Sequence, residues 1–258
     1  MLVNAEAVSY DNYLDVIKLR LSSGDAPDIM FGGPGTYPEL VNAGYIMDLS
    51  DKDYISRVSE GSLSLQKLDD KVYAVPLDQM ANVVFYNKDI FNDLGLTVPT
   101  TYTEFIDTCK ALKDAGYAAC AAGYQDQISI GANFYTMFYG TPYLSCENYV
   151  DETQNQGKSW GEYPTFAQAL TQFREIIGYQ NEDCRTITTD RAEQLFANGE
   201  SGMIIIGTWG LGAIMNYNPD LNCGGFMYPS EEKAEDNAIP LNTDDCWMIL
   251  NDSPNADI

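Results

Sequence analysis

Phe196-Ala197-Asn198-Gly199-Glu200-Ser201-Gly202-Met203-Ile204-Ile205-Ile206-Gly207-Thr208-Trp209 is the stretch on which the fold turns. Ala192, Leu195 and Phe196 recur at helical spacing, and Gly199 ends that helix. The run from Gly202 to Ile206 is short and wholly apolar, which predicts a strand buried on both faces, as in a parallel sheet. Gly207-Thr208-Trp209 closes the strand and sets a tryptophan at its edge, expected to face a cleft. A helix that turns tightly into such a strand is the repeating unit of α/β proteins.

The same alternation continues outward. Val3 to Val8 predicts a strand, followed by a helix capped by Asp11 that carries Leu14, Ile17 and Leu21 until Gly24. Pro27 to Phe31 predicts a short strand that runs into Gly32-Gly33-Pro34-Gly35, a turn-forming loop at a strand's carboxyl end, where α/β sheets bind ligands. Lys71 to Pro76 and Asn82 to Tyr86 predict two more strands, with Asp78 and Gln79 as a polar interruption between them. Thr101, with Glu104 three residues on, forms a capping box for a helix carrying Phe105, Cys109 and Leu112 as far as Gly116. Phe166, Leu170, Phe173 and Ile177 make a further helical stripe before Gly178. Ser145 to Pro164, rich in Asn, Gln, Gly and Glu and containing Trp160 and Tyr163, predicts a long surface loop. No internal repeat or low-complexity tract interrupts the pattern, so the fold class is α/β.

Composition narrows the chemistry. The 258 residues suffice for one large or two modest domains. Lys and Arg number 14 against 38 Asp and Glu, a formal charge of -24, which repels nucleic-acid phosphates and anionic lipid headgroups alike. The absence of histidine removes Ser-His-Asp and Cys-His catalysis and every His-ligated zinc site. Cys109, Cys120, Cys146, Cys184, Cys223 and Cys246 lack C-x-x-C spacing, so neither a metal nor a redox cofactor is expected. Their even number suits disulfides outside the cell and buried free thiols equally well. No stretch approaches the roughly 18 apolar residues of a membrane span, and the first residues lack the basic region and apolar run of an export signal.

Several motifs in order resemble the maltose-type family of bacterial extracellular solute-binding proteins. They are Ser23-Gly24-Asp25-Ala26-Pro27-Asp28-Ile29 with the glycine loop after it, Ala43-Gly44-Tyr45-Ile46-Met47-Asp48-Leu49, Lys71-Val72-Tyr73-Ala74-Val75-Pro76, and Phe85-Tyr86-Asn87-Lys88-Asp89-Ile90-Phe91. Pro99-Thr100-Thr101-Tyr102 follows, and the opening stretch from Phe196 to Trp209 completes the series. The resemblance implies a two-lobed periplasmic-binding-protein-like (type II) fold with a central cleft. Residues 1–80 with 240–258 would form the first lobe and residues 81–239 the second. It also implies a monomer that binds a carbohydrate ligand without cofactor or catalysis and delivers it to the permease subunits of an ABC transporter. Such proteins work outside the cell or in the periplasm, often as lipoproteins. Against the family pattern this chain begins near the second strand and stops soon after the second crossover, so the first lobe is expected to be incomplete.

A sugar presents apolar C–H faces and rings of hydroxyls, so its site needs aromatic platforms and planar polar groups. Trp209, by its place in the last motif, is the first platform, the alternative being a core indole. Trp247, in a strand from Cys246 to Leu250, is expected to pack inside, and Trp160 to lie at a rim or on the surface. Gly33, Gly35 and Thr36 offer backbone N–H groups from a loop that glycine keeps approachable. Asp78 and Gln79 sit at the first crossover, Asp126 and Gln127 follow Gly123-Tyr124 in the second lobe, and Asp245, beside Asp244, lies near the second crossover. Paired carboxylates and aromatics also describe a glycoside hydrolase, a surface adhesin or sensor could use the same fold, and a binding protein of this kind could instead take a non-sugar solute such as a polyol phosphate, a peptide or a polyamine.

Overall fold

The computed structural model describes residues 3–9, 12–139, 152–153, 155–239, 241–243 and 245–255. The chain divides into two compact units, Met1–Gln79 with Asn242–Ile258 and Met80–Leu241. The first unit carries α1 (Tyr13–Ser23), β1 (Ile29–Phe31), α2 (Pro38–Asn42), α3 (Glu60–Ser64), β2 (Lys67–Leu68), β3 (Lys71–Val72) and β4 (Val75–Pro76). The second carries β5 (Met80–Asn87), α4 (Lys88–Asp93), α5 (Tyr102–Asp114), β6 (Ala118–Ala121), α6 (Gln127–Tyr139), α7 (Pro164–Ile176), α8 (Thr189–Ala197), β7 (Ser201–Gly207), α9 (Gly210–Tyr217) and β8 (Cys223–Phe226). The chain returns through β9 (Leu241–Asn242), and β10 (Cys246–Ile249) completes the sheet of the first unit.

That first sheet is antiparallel in the order β1-β10-β4, with Met30 opposite Met248, Phe31 opposite Trp247, and Trp247 opposite Val75. Side chains alternate across a strand. Met30, Cys246 and Met248 therefore share one face and pack with Ile17, Tyr37, Leu40 and Val41. Val75 and Ile249 face the other way, against Leu49, Ile55 and Val72. The hairpin of β2 and β3 turns through Asp69 and Asp70, both at positive φ, a conformation that aspartate tolerates better than most residues.

The sheet of the second unit runs β6-β7-β5-β8, with β9 also paired to β5. β7 is parallel to β6 and antiparallel to β5, so the expected two-sided strand lies in a mixed sheet. Every residue of β7 is buried. Met203 and Ile205 join Phe105, Leu112, Met137, Ala169 and Ile176 on one face, while Ile204 and Ile206 join Ala192, Leu195, Phe196 and Ile214 on the other. Each such side chain contributes about 1.5–3 kcal/mol of apolar burial. The capping box of α5 forms as expected: Glu104 N–H donates to Thr101 Oγ1 at 3.3 Å and Thr101 N–H to Glu104 Oε2 at 3.3 Å.

Several local expectations are corrected. Val3 to Val8 forms no strand, and Val3 is 78% exposed; a strand needs a neighbour for its backbone groups, and none among the described residues pairs with it. Asp11 lies outside the described residues, and α1 starts after Asn12, whose side chain makes no cap. Lys71 to Pro76 is two short strands in different sheets, because Tyr73 N–H turns to Gln66 O at 3.0 Å. The fully buried residues of α7 are Thr165, Ala169, Gln172 and Ile176; of the expected stripe Phe166 and Phe173 pack against this core while Leu170 is exposed. Gln172 can be buried because its Nε2 donates to Ser230 O at 2.7 Å.

The predicted loop from Ser145 to Pro164 is described only in part. Trp160–Glu162 makes a 3-10 turn on the surface, with Trp160 exposed as expected though its ring rests on Phe138 and Phe166, and only Tyr163 at the end of the stretch is buried. Cys109, Cys120, Cys184 and Cys223 carry free thiols, and Cys146 lies outside the described residues. Among the described residues no helix is long and apolar enough to cross a membrane.

Gly123 marks the tightest joint of this unit. A Cβ there would overlap the carbonyl of Thr188, the residue that caps α8. Backbone cannot yield as a side chain can, so Gly123→Ala is expected to destabilise the second unit by about 2–3 kcal/mol. A lower urea midpoint at unchanged m-value checks this.

Candidate functional site

Because β6 and β7 are parallel, their carboxyl ends share one edge, and the loops that leave it carry Tyr124, Asp126, Gln127, Thr208 and Trp209. Thr208 N–H donates to Ala81 O at 2.9 Å, which pins the turn after β7. Trp209 follows with its indole nitrogen folded back over Gly207, where any Cβ would collide with the ring. Glycine at 207 is thus what admits the indole to this position, and the ring stays 43% exposed. Gln127 opens α6 and is exposed.

Asp126 is otherwise engaged. Its Oδ2 accepts from Thr189 N–H at 2.7 Å, and its Oδ1 accepts from Thr189 Oγ1 at 2.6 Å and Ile128 N–H at 3.1 Å. Burial alone would raise its pKa, but these bonds from Thr189 and Ile128 outweigh it and hold the carboxyl below the usual range. The side chain therefore ties the loop after β6 to the start of α8, which leaves it little capacity for a solute.

Glu193, on α8, is 4% exposed, and its Oε1 lies against Gly210 at the start of α9. Burial first, then the neighbouring Asp190 and Asp126 carboxylates, push its pKa up to about 7. Nearby, Gln180 Nε2 donates to the Tyr124 hydroxyl at 2.7 Å, while the buried Gln180 Oε1 has no hydrogen-bond partner among the described residues.

In the first unit the carboxyl ends of β1 and β4 and the start of β10 meet at one edge, since β10 runs antiparallel between its neighbours. Gly32 N–H donates to Cys246 O at 2.8 Å, and Gly33 O accepts from Thr36 N–H and Tyr37 N–H, both at 3.1 Å. The N–H groups of Gly33 and Gly35 make no hydrogen bond among the described residues, and Gly35 and Thr36 are exposed. Leu77 N–H donates to Asp245 O at 2.8 Å, and Asp245 N–H donates to Asp78 Oδ1 at 3.3 Å. Gln79 Nε2 is held by Ser62 Oγ at 2.7 Å. The fold thus gathers Gly33, Gly35, Thr36, Asp78, Gln79 and Asp245 on the first unit, and Asp126, Gln127 and Trp209 on the second. Asp244 lies outside the described residues.

Three side chains near these edges escaped the sequence reading. Trp247 is half-exposed, not packed inside, because Cys246 and Met248 take the core face of β10. Gln66, 2% exposed, donates through Nε2 to Thr243 Oγ1 at 2.8 Å and leaves Oε1 without a partner among the described residues. Glu193 is the third. The alternation Cys246-Trp247-Met248 was a signal for the first, whereas nothing local marks Gln66 or Glu193 as buried. Among the described residues no group of three or more Cys, Asp or Glu is placed to hold a metal ion.

Two α/β units sharing one chain, each presenting glycine, amide, carboxylate or aromatic groups at strand ends, define a binding protein of the type II solute-binding class. The chain belongs to the bacterial extracellular solute-binding protein family, whose profile matches residues 3–258. It is 28% identical over 242 residues to the multiple sugar-binding protein of Streptococcus mutans, covering 91% of this chain and 57% of that protein. The melibiose/raffinose/stachyose-binding protein MelE of Bacillus subtilis is 24% identical over 236 residues, 88% of this chain and 54% of its own length. Among solved structures, RafE of Streptococcus pneumoniae in its apo form superposes with a TM-score of 0.78 at 25% identity, covering 98% of this chain and 66% of that one. RafE in complex with raffinose gives 0.79 at 26%, covering 97% and 66%. The chain thus spans little more than half the length of the sequence relatives it matches.

The Glu193 environment yields a pH test. Its folded pKa lies above the ordinary value of 4.5, so between about pH 4.5 and 7 the folded state keeps a proton that the unfolded chain has released. Its contribution is therefore most favourable below that window and falls as pH rises through it, by about 3 kcal/mol in all. Glu193→Gln should match the wild type near pH 4.5 and become progressively more stable than it up to pH 8. Denaturant unfolding of both proteins across this range measures the difference, and parallel pH profiles would contradict the assignment.

Proposed function

We propose that this chain is the solute-capturing component of an ABC-type importer. It binds a sugar or oligosaccharide, with raffinose and related galactosides first, and passes it unchanged to permease subunits. The full-length protein acts as a monomer outside the cell, held at the surface as a lipoprotein. Residues 1–80 with 240–258 serve as one lobe and residues 81–239 as the other.

The observation that carries this reading is the kinship with RafE, whose raffinose complex is matched along 66% of its length, together with two relatives named for sugars. The chemistry of the edges supports it. Gly33, Gly35 and Thr36 offer donors, Asp78, Gln79 and Asp245 offer planar groups for hydroxyl pairs, and Gln127 and Trp209 add an amide and an aromatic face. No lysine or arginine belongs to the set, which disfavours a phosphorylated solute. Asp126, already fully engaged by Thr189 and Ile128, is assigned a supporting role.

Raffinose at a hundredfold excess over its Kd should stabilise the protein by about 2.7 kcal/mol, raising the Tm by about 5 °C or more. Chromatography after long incubation should return the trisaccharide intact, whereas released monosaccharide would favour a hydrolase. Trp209→Ala should abolish the thermal shift while the ligand-free melt stays cooperative. A wild-type melt unmoved by raffinose, melibiose and stachyose would refute the sugar assignment.

A further inference from the structure

The turn from Gly207 to Gly210 is held at three points. Thr208 N–H donates to Ala81 O at 2.9 Å, and Leu211 N–H donates back to Thr208 O at 3.3 Å. The third point is packing. Gly210 is buried, and a Cβ there would lie 2.8 Å from Ile206 Cδ1 and 3.2 Å from Glu193 Oε1, so the start of α9 rests directly on these two side chains. Trp209 is the residue before it, at φ -62° and ψ -31°, with no side-chain cap to fix the helix entry. The indole, folded back over Gly207, takes its position from this turn. Of the groups that hold the turn, Glu193 alone can change its charge.

That carboxyl has nothing beside it to receive a charge. It is 4% exposed and makes no hydrogen bond or ion pair among the described residues. The groups that face it are acidic or neutral: Asp190 on α8, Asp126 in the loop after β6, the Tyr217 hydroxyl on α9, and Ile206 of β7. Both aspartates are already engaged, Asp126 by Thr189 and Ile128, and Asp190 by Gln194 Nε2 at 2.9 Å and by the Tyr217 hydroxyl. A neutral carboxyl suits this pocket, and burial followed by the two aspartates accordingly raises its pKa to about 7. An ionised one is repelled by the aspartates and drawn to the start of α9, whose first N–H groups lack intrahelical partners and favour negative charge. Those groups belong to the turn that carries Trp209. The facing groups keep their own states near neutrality: hydrogen bonds hold Asp126 below the usual carboxylate range, and the bond to Asp190 raises Tyr217 above the ordinary tyrosine range. The chain has no histidine, the side chain that ordinarily titrates there.

We propose that Glu193 is a positioning residue for the solute site: its protonation state sets how the turn presents Trp209, so that solute is held more weakly once the carboxyl has ionised. The part about affinity rests on the sugar-binding reading of the protein, whereas the part about the indole does not. In the ligand-free 258-residue protein labelled with 5-fluorotryptophan, the fluorine resonance of Trp209 is identified by its loss in Trp209→Phe. That resonance should move between about pH 5.5 and 8 in the wild type and stay put in Glu193→Gln, which keeps the shape of the side chain without its charge. By calorimetry, the Kd for raffinose should rise about fivefold over the same range in the wild type and change less than about twofold in Glu193→Gln. A side chain that served stability alone would leave the two proteins with parallel pH profiles of Kd. If the Trp209 resonance is fixed in the wild type, or moves alike in both proteins, or the Kd profiles are parallel, Glu193 does not position the site and the function stands. If the wild type binds none of raffinose, melibiose and stachyose at either pH, the functional reading falls and the claim on affinity falls with it, even where the resonance titrates.

Discussion

The burial of β7 on both faces is the constraint from which the larger unit follows. Odd and even side chains of Met203 to Ile206 must each find a core, so helices have to cover both sides of the sheet, and α5, α6 and α7 on one face and α8 and α9 on the other do so. The strand can leave this sandwich only at its carboxyl end, and there Gly207 and Thr208 turn the chain into α9. Trp209 is exposed because it is the first large side chain beyond the covered strand. Its position is thus a by-product of the way the core closes.

The first unit solves a different problem. Its sheet has a central strand, β10, drawn from the end of the chain and inserted between β1 and β4. Strands far apart in sequence are thereby locked together, and the loop after β1, the exit of β4 and the entry of β10 meet at one edge. Backbone bonds from Gly32 to Cys246 and from Leu77 to Asp245 do most of this work, and Asp78, accepting from Asp245 N–H, and Gln79, donating to Ser62 Oγ, add side-chain bonds to it.

Where a local rule decides the outcome, the sequence was legible. The capping box at Thr101, the apolar run of β7 and the helix ending before Gly199 need only their own neighbours. Val3 to Val8 was misread because a strand depends on a partner that no window of sequence contains. The stripe of α7 was read in part: Phe166 and Phe173 pack on the core, but Leu170 is exposed, and Gln172, polar by composition, is buried through a bond to Ser230, far along the chain. The candidate site shows the same division. Glycine loops and strand ends could be placed from sequence, but whether a carboxylate such as Asp126 is available or already engaged depends on Thr189, which is brought beside it only by the fold.

The buried polar groups near these edges have a common physical character. Gln66, Gln180 and Glu193 are buried polar groups whose needs are only partly met, and each such group costs a folded protein roughly 1–3 kcal/mol. A chain selected for stability alone would replace them or pair them. In both units they lie beside strand-end loops: Gln66 under Gly33, Gln180 against Tyr124, and Glu193 against Gly210. Local costs concentrated at the edges of well-packed sheets are the pattern expected where a protein keeps a surface ready for something other than itself. The cores of β7 and β10 supply the stability that lets these edges remain imperfectly satisfied.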